Sequence, residues 1–247
     1  MWQEIEDEAW EYVDAGEMEQ ARLAALRVIQ MQPDAIDSYV ILARTSNTLG
    51  EKIAFAREAV RLGEIRFADE IEAAPSGDTI FWADLDTRPY MRGLCALALS
   101  LWEDPRDGAQ ADAIATAQHA LRICPNDNVG FRFMLLEWLA RHERWDEGRE
   151  LAETHADDYR TEIKLWAALY AFHGSSTDRA GDFIAEAREI NPDAIRPLLL
   201  KTPPKDPPGK YIALGSPDEA KAYAAYAHDL WRSVPGAIDW LKTVAKT

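Results

Sequence analysis

Positive charge is scarce in this 247-residue chain. Its 27 Lys and Arg stand against 43 Asp and Glu, a formal net charge of −16. Gripping nucleic-acid phosphates takes clustered Lys and Arg, and so does adhesion to an anionic bilayer. The deficit argues against both. Cysteine is nearly absent: Cys95 and Cys124 supply neither a disulfide framework nor a metal pair. Both stand in apolar helical contexts (LCALAL and LRIC), which predicts buried, reduced thiols. The five histidines, His119, His142, His155, His173 and His228, form no His-x3-His or His-Glu-x2-His pair, so no zinc site is expected. Gly-x4-Gly-Lys-Ser/Thr and Gly-x-Ser-x-Gly are missing too, and no cofactor is expected. No apolar run approaches the ~20 residues that span a bilayer. The start, MWQEIEDEAW, lacks a basic leader, and no Asn-x-Ser/Thr sequon occurs. A cytoplasmic protein is the expectation.

What is present is helical repetition. Hydrophobic residues make up 47% and charged residues 28%, an ordinary globular balance, and strand-like alternation is nearly absent. Three segments share one pattern: a small residue, a second small residue seven later, a proline five after that. They are Ala113, Ala120, Pro125; Ala180, Ala187, Pro192; and, with one substitution, Ala21, Val28, Pro33. Small residues allow two helix backbones to approach closely, and the proline ends the second helix of a pair. The preceding helices keep the phase, with Ala9 and Tyr12 in the first unit and Ala168 in the last. Phe131, Trp138, Gly148 and Ala152 mark a unit between them. Tyr39, Leu42, Ala43 and Gly50 mark a degenerate one whose second helix reads one residue short. The unit with Leu94, Leu97, Ala98 and Ala113 has about three extra residues in its turn, around Pro105 to Ala109.

In this phase the chain resembles the tetratricopeptide repeat family. The resemblance implies an all-α fold: an α-solenoid of about five helix pairs over 3–192, closed by a C-terminal helix pair. A non-repetitive helical bundle is the other reading of the same pattern. Two stretches interrupt it. Residues 73–89 read as a loop whose Phe81 and Trp82 need apolar cover, with Pro89 in the first turn of the next helix and Thr87 or Asp86 as its cap. Residues 201–210 hold four prolines and read as a stiff spacer. The expected division is therefore 1–200, the repeat domain, and 201–247, a linker with a helix pair packed on it. Charge changes at the same place: 38 acids and 20 bases before it, 5 acids and 7 bases after. Ser216-Pro217-Asp218-Glu219 reads as a capping box opening a helix to about Trp231, and Pro235 as the start of a last helix.

The tail has a likeness of its own. Asn191-Pro192, Leu198-Leu199, Pro203-Pro204, Gly215 to Ala220 and the aromatic stretch Trp231 to Leu241 follow one another in an order that resembles the C-terminal region of the suppressor of tumorigenicity seven family. That family's membrane segments have no counterpart in this sequence. The likeness implies an interaction protein, not a catalyst.

In the repeat frame, Arg92 and Arg132 fall at positions that line the groove in which tetratricopeptide proteins hold ligands. Arg88 lies one turn before Arg92, and Asn128 opens the following helix. Three arginines and an asparagine thus form a candidate anchor for a carboxylate, which a guanidinium grips in two-point fashion. The bland alternative has Arg88 and Arg132 paired with Asp84, Asp86 or Asp127 to tie loops to helices. Leu136 and Phe172 fall on the same side further along and would give the groove an apolar end. Asp84 and Asp86 read as caps, not as an acid–base pair. The function expected is a non-catalytic adaptor that binds a protein or peptide. The competing class is an enzyme or small-molecule binder with a pocket formed by loop 73–89 over Arg88 and Arg132; a third is self-association through the terminal helices.

Overall fold

A computed structural model describes residues 1–74, 81–207 and 211–245. Its described residues contain helices and turns and no strand. The helices are α1 (Trp2–Ala15), α2 (Met18–Met31), α3 (Ile36–Thr45), α4 (Leu49–Arg66), α5 (Ala68–Ala73), α6 (Arg88–Trp102), α7 (Ala109–Ile123), α8 (Phe131–Arg141), α9 (Trp145–Thr154), α10 (Thr161–His173), α11 (Thr177–Ile190), α12 (Pro217–Ser233) and α13 (Ala237–Val244). Five successive pairs are present, α1/α2, α3/α4, α6/α7, α8/α9 and α10/α11, as the repeat frame predicts. The chain divides into two compact units, Met1–Arg132 and Phe133–Thr247. The compositional division at 200/201 falls inside the second.

In the first unit, α2 packs on α1 and on α3, and α4 packs on α3 and on α6. Each second helix thus serves its own pair and the next. Every such double contact is a close one, which is why the recurring small residues are there. Ala9, Ala21, Val28, Ala113 and Ala120 have no exposed surface. The turns follow local chemistry. Gly16 ends α1 at φ 79, so its N–H and that of Glu17 can turn back to the carbonyls of Val13 and Tyr12. Thr48 caps α4 by accepting from the Glu51 N–H at 3.3 Å. α4 is not short: it runs 18 residues, because no proline stops it. Its buried small residues are Ala56, Ala59 and Gly63, and a Cβ on Gly63 would lie 2.2 Å from Tyr90 Cδ2.

Loop residues 75–80 lie outside the described set, but its end is firm. Phe81 is buried, its ring 6.4 Å from Phe67 and 6.0 Å from Tyr90. Pro89 sits in the first turn of α6 as expected. Neither expected cap is used, however. The Thr87 hydroxyl donates backwards to the carbonyls of Phe81 and Asp84, and the Asp84 carboxylate accepts from the Asp86 N–H at 2.9 Å. A 3-10 turn, Leu85–Thr87, precedes α6 and takes up the capping residues.

The second unit is built around α10, which packs against α9, α11, α12 and α13. Its residues Ile163 to Ala171 are all buried. A helix apolar on every side needs neighbours on every side. Ala168, Ala180 and Ala187 have no exposed surface and Ala152 has 1%. The Ser216 hydroxyl caps α12 by accepting from the Glu219 N–H at 3.2 Å. Glu219 reaches back one residue further than in a standard capping box, accepting from the Gly215 N–H at 2.8 Å and the Asn191 amide at 3.0 Å. Gly236, not Pro235, is the residue before α13.

Candidate functional site

The first helices of the pairs in unit one share a face. α1 packs on α3, and α3 on α6. Residues one or two helical turns apart on each helix line up there: Glu6 and Trp10, Asp37 and Arg44, Arg88, Arg92 and Cys95. Arg92 holds Asp37 with two parallel bonds, Nε to Oδ1 at 2.8 Å and Nη2 to Oδ2. Asp37 is buried and needs that partner. The Arg92 guanidinium also lies 5.6 Å from the centre of the Trp10 ring, and the Arg44 guanidinium 5.3 Å from it. Glu6 accepts from the Ser38 hydroxyl at 2.7 Å; burial pushes its carboxyl above the usual range, against that bond. The exposed Arg44 pairs with no carboxylate among the described residues. Burial pushes the Cys95 thiol up to about 11, so it is no nucleophile at neutral pH.

Arg92 belongs to this face, but its fork is occupied. Arg88 donates Nε to the Trp82 carbonyl at 3.1 Å and stacks 4.9 Å from the Trp82 ring. It ties the loop to α6, through a carbonyl and an indole in place of Asp84 or Asp86. Arg132 is mostly buried and pairs with the Asp127 carboxylate at 2.8 Å, which is the bland alternative. Asn128 is exposed and caps nothing; its Oδ1 lies 4.0 Å from the Cys124 thiol. Leu136, expected in the groove, has no exposed surface, and its carbonyl accepts from the Tyr170 hydroxyl at 2.6 Å. Phe172 is half-buried, its ring 4.8 Å from that of Trp240. Phe172 is covered by the tail, and Leu136 belongs to the same core. α12 and α13 share one core with α10, α11 and part of α8, so in unit two the chain's own helices occupy the apolar face.

Two residues were missed. Trp10 and Arg44 are not among the residues expected in the groove. Both stand at the same offset in their repeats, two turns into the first helix, and that shared offset is the signal that could have found them.

No protein-family model matches the chain, and no curated protein matches it. Solved structures do resemble it. The crystal structure of YrrB, described as a TPR protein with an unusual peptide-binding site, shares 15% identity and covers 77% of this chain and 87% of its own, with a TM-score of 0.54. The crystal structure of TTC0263, a thermophilic TPR protein in Thermus thermophilus, shares 17% identity over 76% of this chain and 91% of its own, with a TM-score of 0.43. At such identities the likeness to YrrB is one of fold. The helix pairs are of the tetratricopeptide type.

Proposed function

We propose that the protein is a non-catalytic adaptor that binds a protein or peptide on the first-helix face of unit one. Arg44 is the anchor for a carboxylate, and Trp10 and Leu99 supply apolar contact beside it. The observation that carries this reading is the pairing state of the arginines. Arg92 is spent on Asp37 and Arg132 on Asp127, while Arg44 is exposed, held over an indole and, among the described residues, without an acid of its own. Leu99 is 45% exposed on the same side of α6 as Arg92 and Cys95. A guanidinium fixed over an aromatic ring loses little freedom when it takes a carboxylate. One likeness supports the reading: YrrB is described as having a peptide-binding site.

The test is capture of partners from the native host on the immobilised chain, identification by mass spectrometry, and titration of the captured partner against native protein and Arg44→Glu. Charge reversal at the anchor is expected to weaken binding by about tenfold or more, roughly 1.4 kcal/mol. Equal affinity for both proteins overturns the assignment of the face.

A further inference from the structure

α6 has a second side. Arg88, Arg92, Cys95 and Leu99 point one way; Leu94, Leu97 and Leu101, at spacings of three and four, fall on the opposite side. These leucines floor a cleft of about 370 Å³ in unit one. One wall is α4, through Val60 and Glu64, and the other is α7, through Ala115 and Asp112. Both walls pack on α6, so the cleft runs along three helices. It is open at the surface, and its floor and walls repeat at the spacing of a helical turn. That shape receives the side chains of another helix, anchored at i and i+3 or i+4.

The rim says what kind of helix. Glu64 and Asp112 are exposed, one on each wall, and neither pairs with a cation among the described residues. Arg57 is the cation among the lining residues, and Arg122 stands just beyond them at the His119 end. His119, at the inner end of α7, adds no charge at neutral pH. Arg122 donates Nη2 to its Nδ1 at 2.8 Å, which puts the ring's proton on Nε2, 3.0 Å from the Tyr90 hydroxyl. Burial, and then the Arg122 charge, hold His119 below the ordinary histidine value. Among the described residues the two walls thus carry an unpaired carboxylate each, with the Arg122 cation confined to the His119 end, in a protein that is strongly acidic as a whole; a second copy of this chain would meet Glu64 and Asp112 with like charge.

We propose that this cleft docks an amphipathic helix of a partner protein, which inserts leucine-type side chains between α4 and α7 and sets Lys or Arg against Glu64 and Asp112. The site is separate from the Arg44 face and stands or falls without it.

The probe is a stapled, fluorescein-labelled helical peptide with a leucine stripe flanked by lysines, together with a twin flanked by glutamates. Anisotropy with the full chain is expected to show binding of the lysine peptide and at least about tenfold weaker binding of its twin. Ala115→Trp fills the cleft from an exposed position, and the double reversal Glu64→Lys, Asp112→Lys inverts the rim. Each should weaken the lysine peptide by about tenfold, while Arg44→Glu leaves it unchanged. Methyl resonances of Leu94, Leu97 and Leu101 in the native protein should shift on titration, a readout that needs no variant. Equal binding of the twins, absence of binding or of methyl shifts, or indifference to Ala115→Trp overturns the proposal. So does concentration-dependent self-association abolished by Ala115→Trp, which would make the occupant a second copy.

Discussion

At the scale of single residues, the fold rests on groups that have no freedom to change. A Cβ on Gly148 would stand 2.1 Å from Cε1 and Cζ of Tyr170, whose hydroxyl is already fixed to the Leu136 carbonyl. Gly148→Ala should therefore destabilise by about 1–3 kcal/mol through overpacking. Gly181, on α11, has nothing within 4 Å of that position. Gly181→Ala should stabilise by roughly 0.5–1 kcal/mol, because only the helix propensity changes. Denaturant midpoints of the two variants would move in opposite directions. Asp127 has a different burden. It takes a left-handed φ of 47, and its carboxylate accepts from the backbone N–H groups of Gly130, Phe131 and Arg132 at 3.0, 2.7 and 2.9 Å as well as from the Arg132 guanidinium. Asp127→Ala strands a mostly buried cation and should cost about 3–5 kcal/mol. Adding Arg132→Met should recover part of that loss in a double-mutant cycle.

At the scale of elements, α10 is the helix to test. Glu162 in its first turn accepts from the Tyr226 hydroxyl of α12, yet burial raises its carboxyl above the usual value despite that bond, with Glu137 and Glu219 adding to the rise. A carboxyl raised in the folded state binds its proton more readily there than in the unfolded chain. Its contribution is therefore favourable below the unfolded value and is lost as pH rises through the folded one. Glu162→Gln keeps an acceptor for Tyr226 and removes the charge. It should raise stability at pH 7 and make less difference near pH 4, as denaturant titrations at both pH values would show. α7 carries the opposite case. His119 is lowered in the folded state, so its contribution is intact above the unfolded value of about 6.5 and fades as pH falls below it. His119→Gln should flatten the stability difference between pH 7 and pH 5 relative to the native protein.

At the scale of the whole molecule, the tail is part of the core. Trp231 has no exposed surface, its indole N–H donates to the Tyr223 hydroxyl at 2.9 Å, and Tyr223 packs 5.4 Å from the Trp166 ring. A chain ended at residue 206 would bare the α12-facing and α13-facing sides of α10. Such a truncation should bind a hydrophobic dye and lose the cooperative transition of the second unit. A truncation that melts like the full chain would show the tail to be a dispensable appendage.

The repeat itself was legible from residues, because close helix approach tolerates only small side chains at fixed offsets, and Ala113, Ala120, Ala180 and Ala187 are all fully buried as that requires. The cap at Ser216 was legible from local hydrogen-bond chemistry in the same way. Which side of each first helix stays open could not be read, since periodicity gives a face but not what covers it. Leu136 and Phe172 have the pattern of groove residues, and only tertiary packing hands that groove to α12 and α13. The fate of each arginine was equally beyond the sequence. A guanidinium takes whichever carboxylate the fold brings within about 3 Å, so Arg92 went to Asp37, fifty-five positions away, Arg132 to its neighbour Asp127, and Arg44 to none among the described residues.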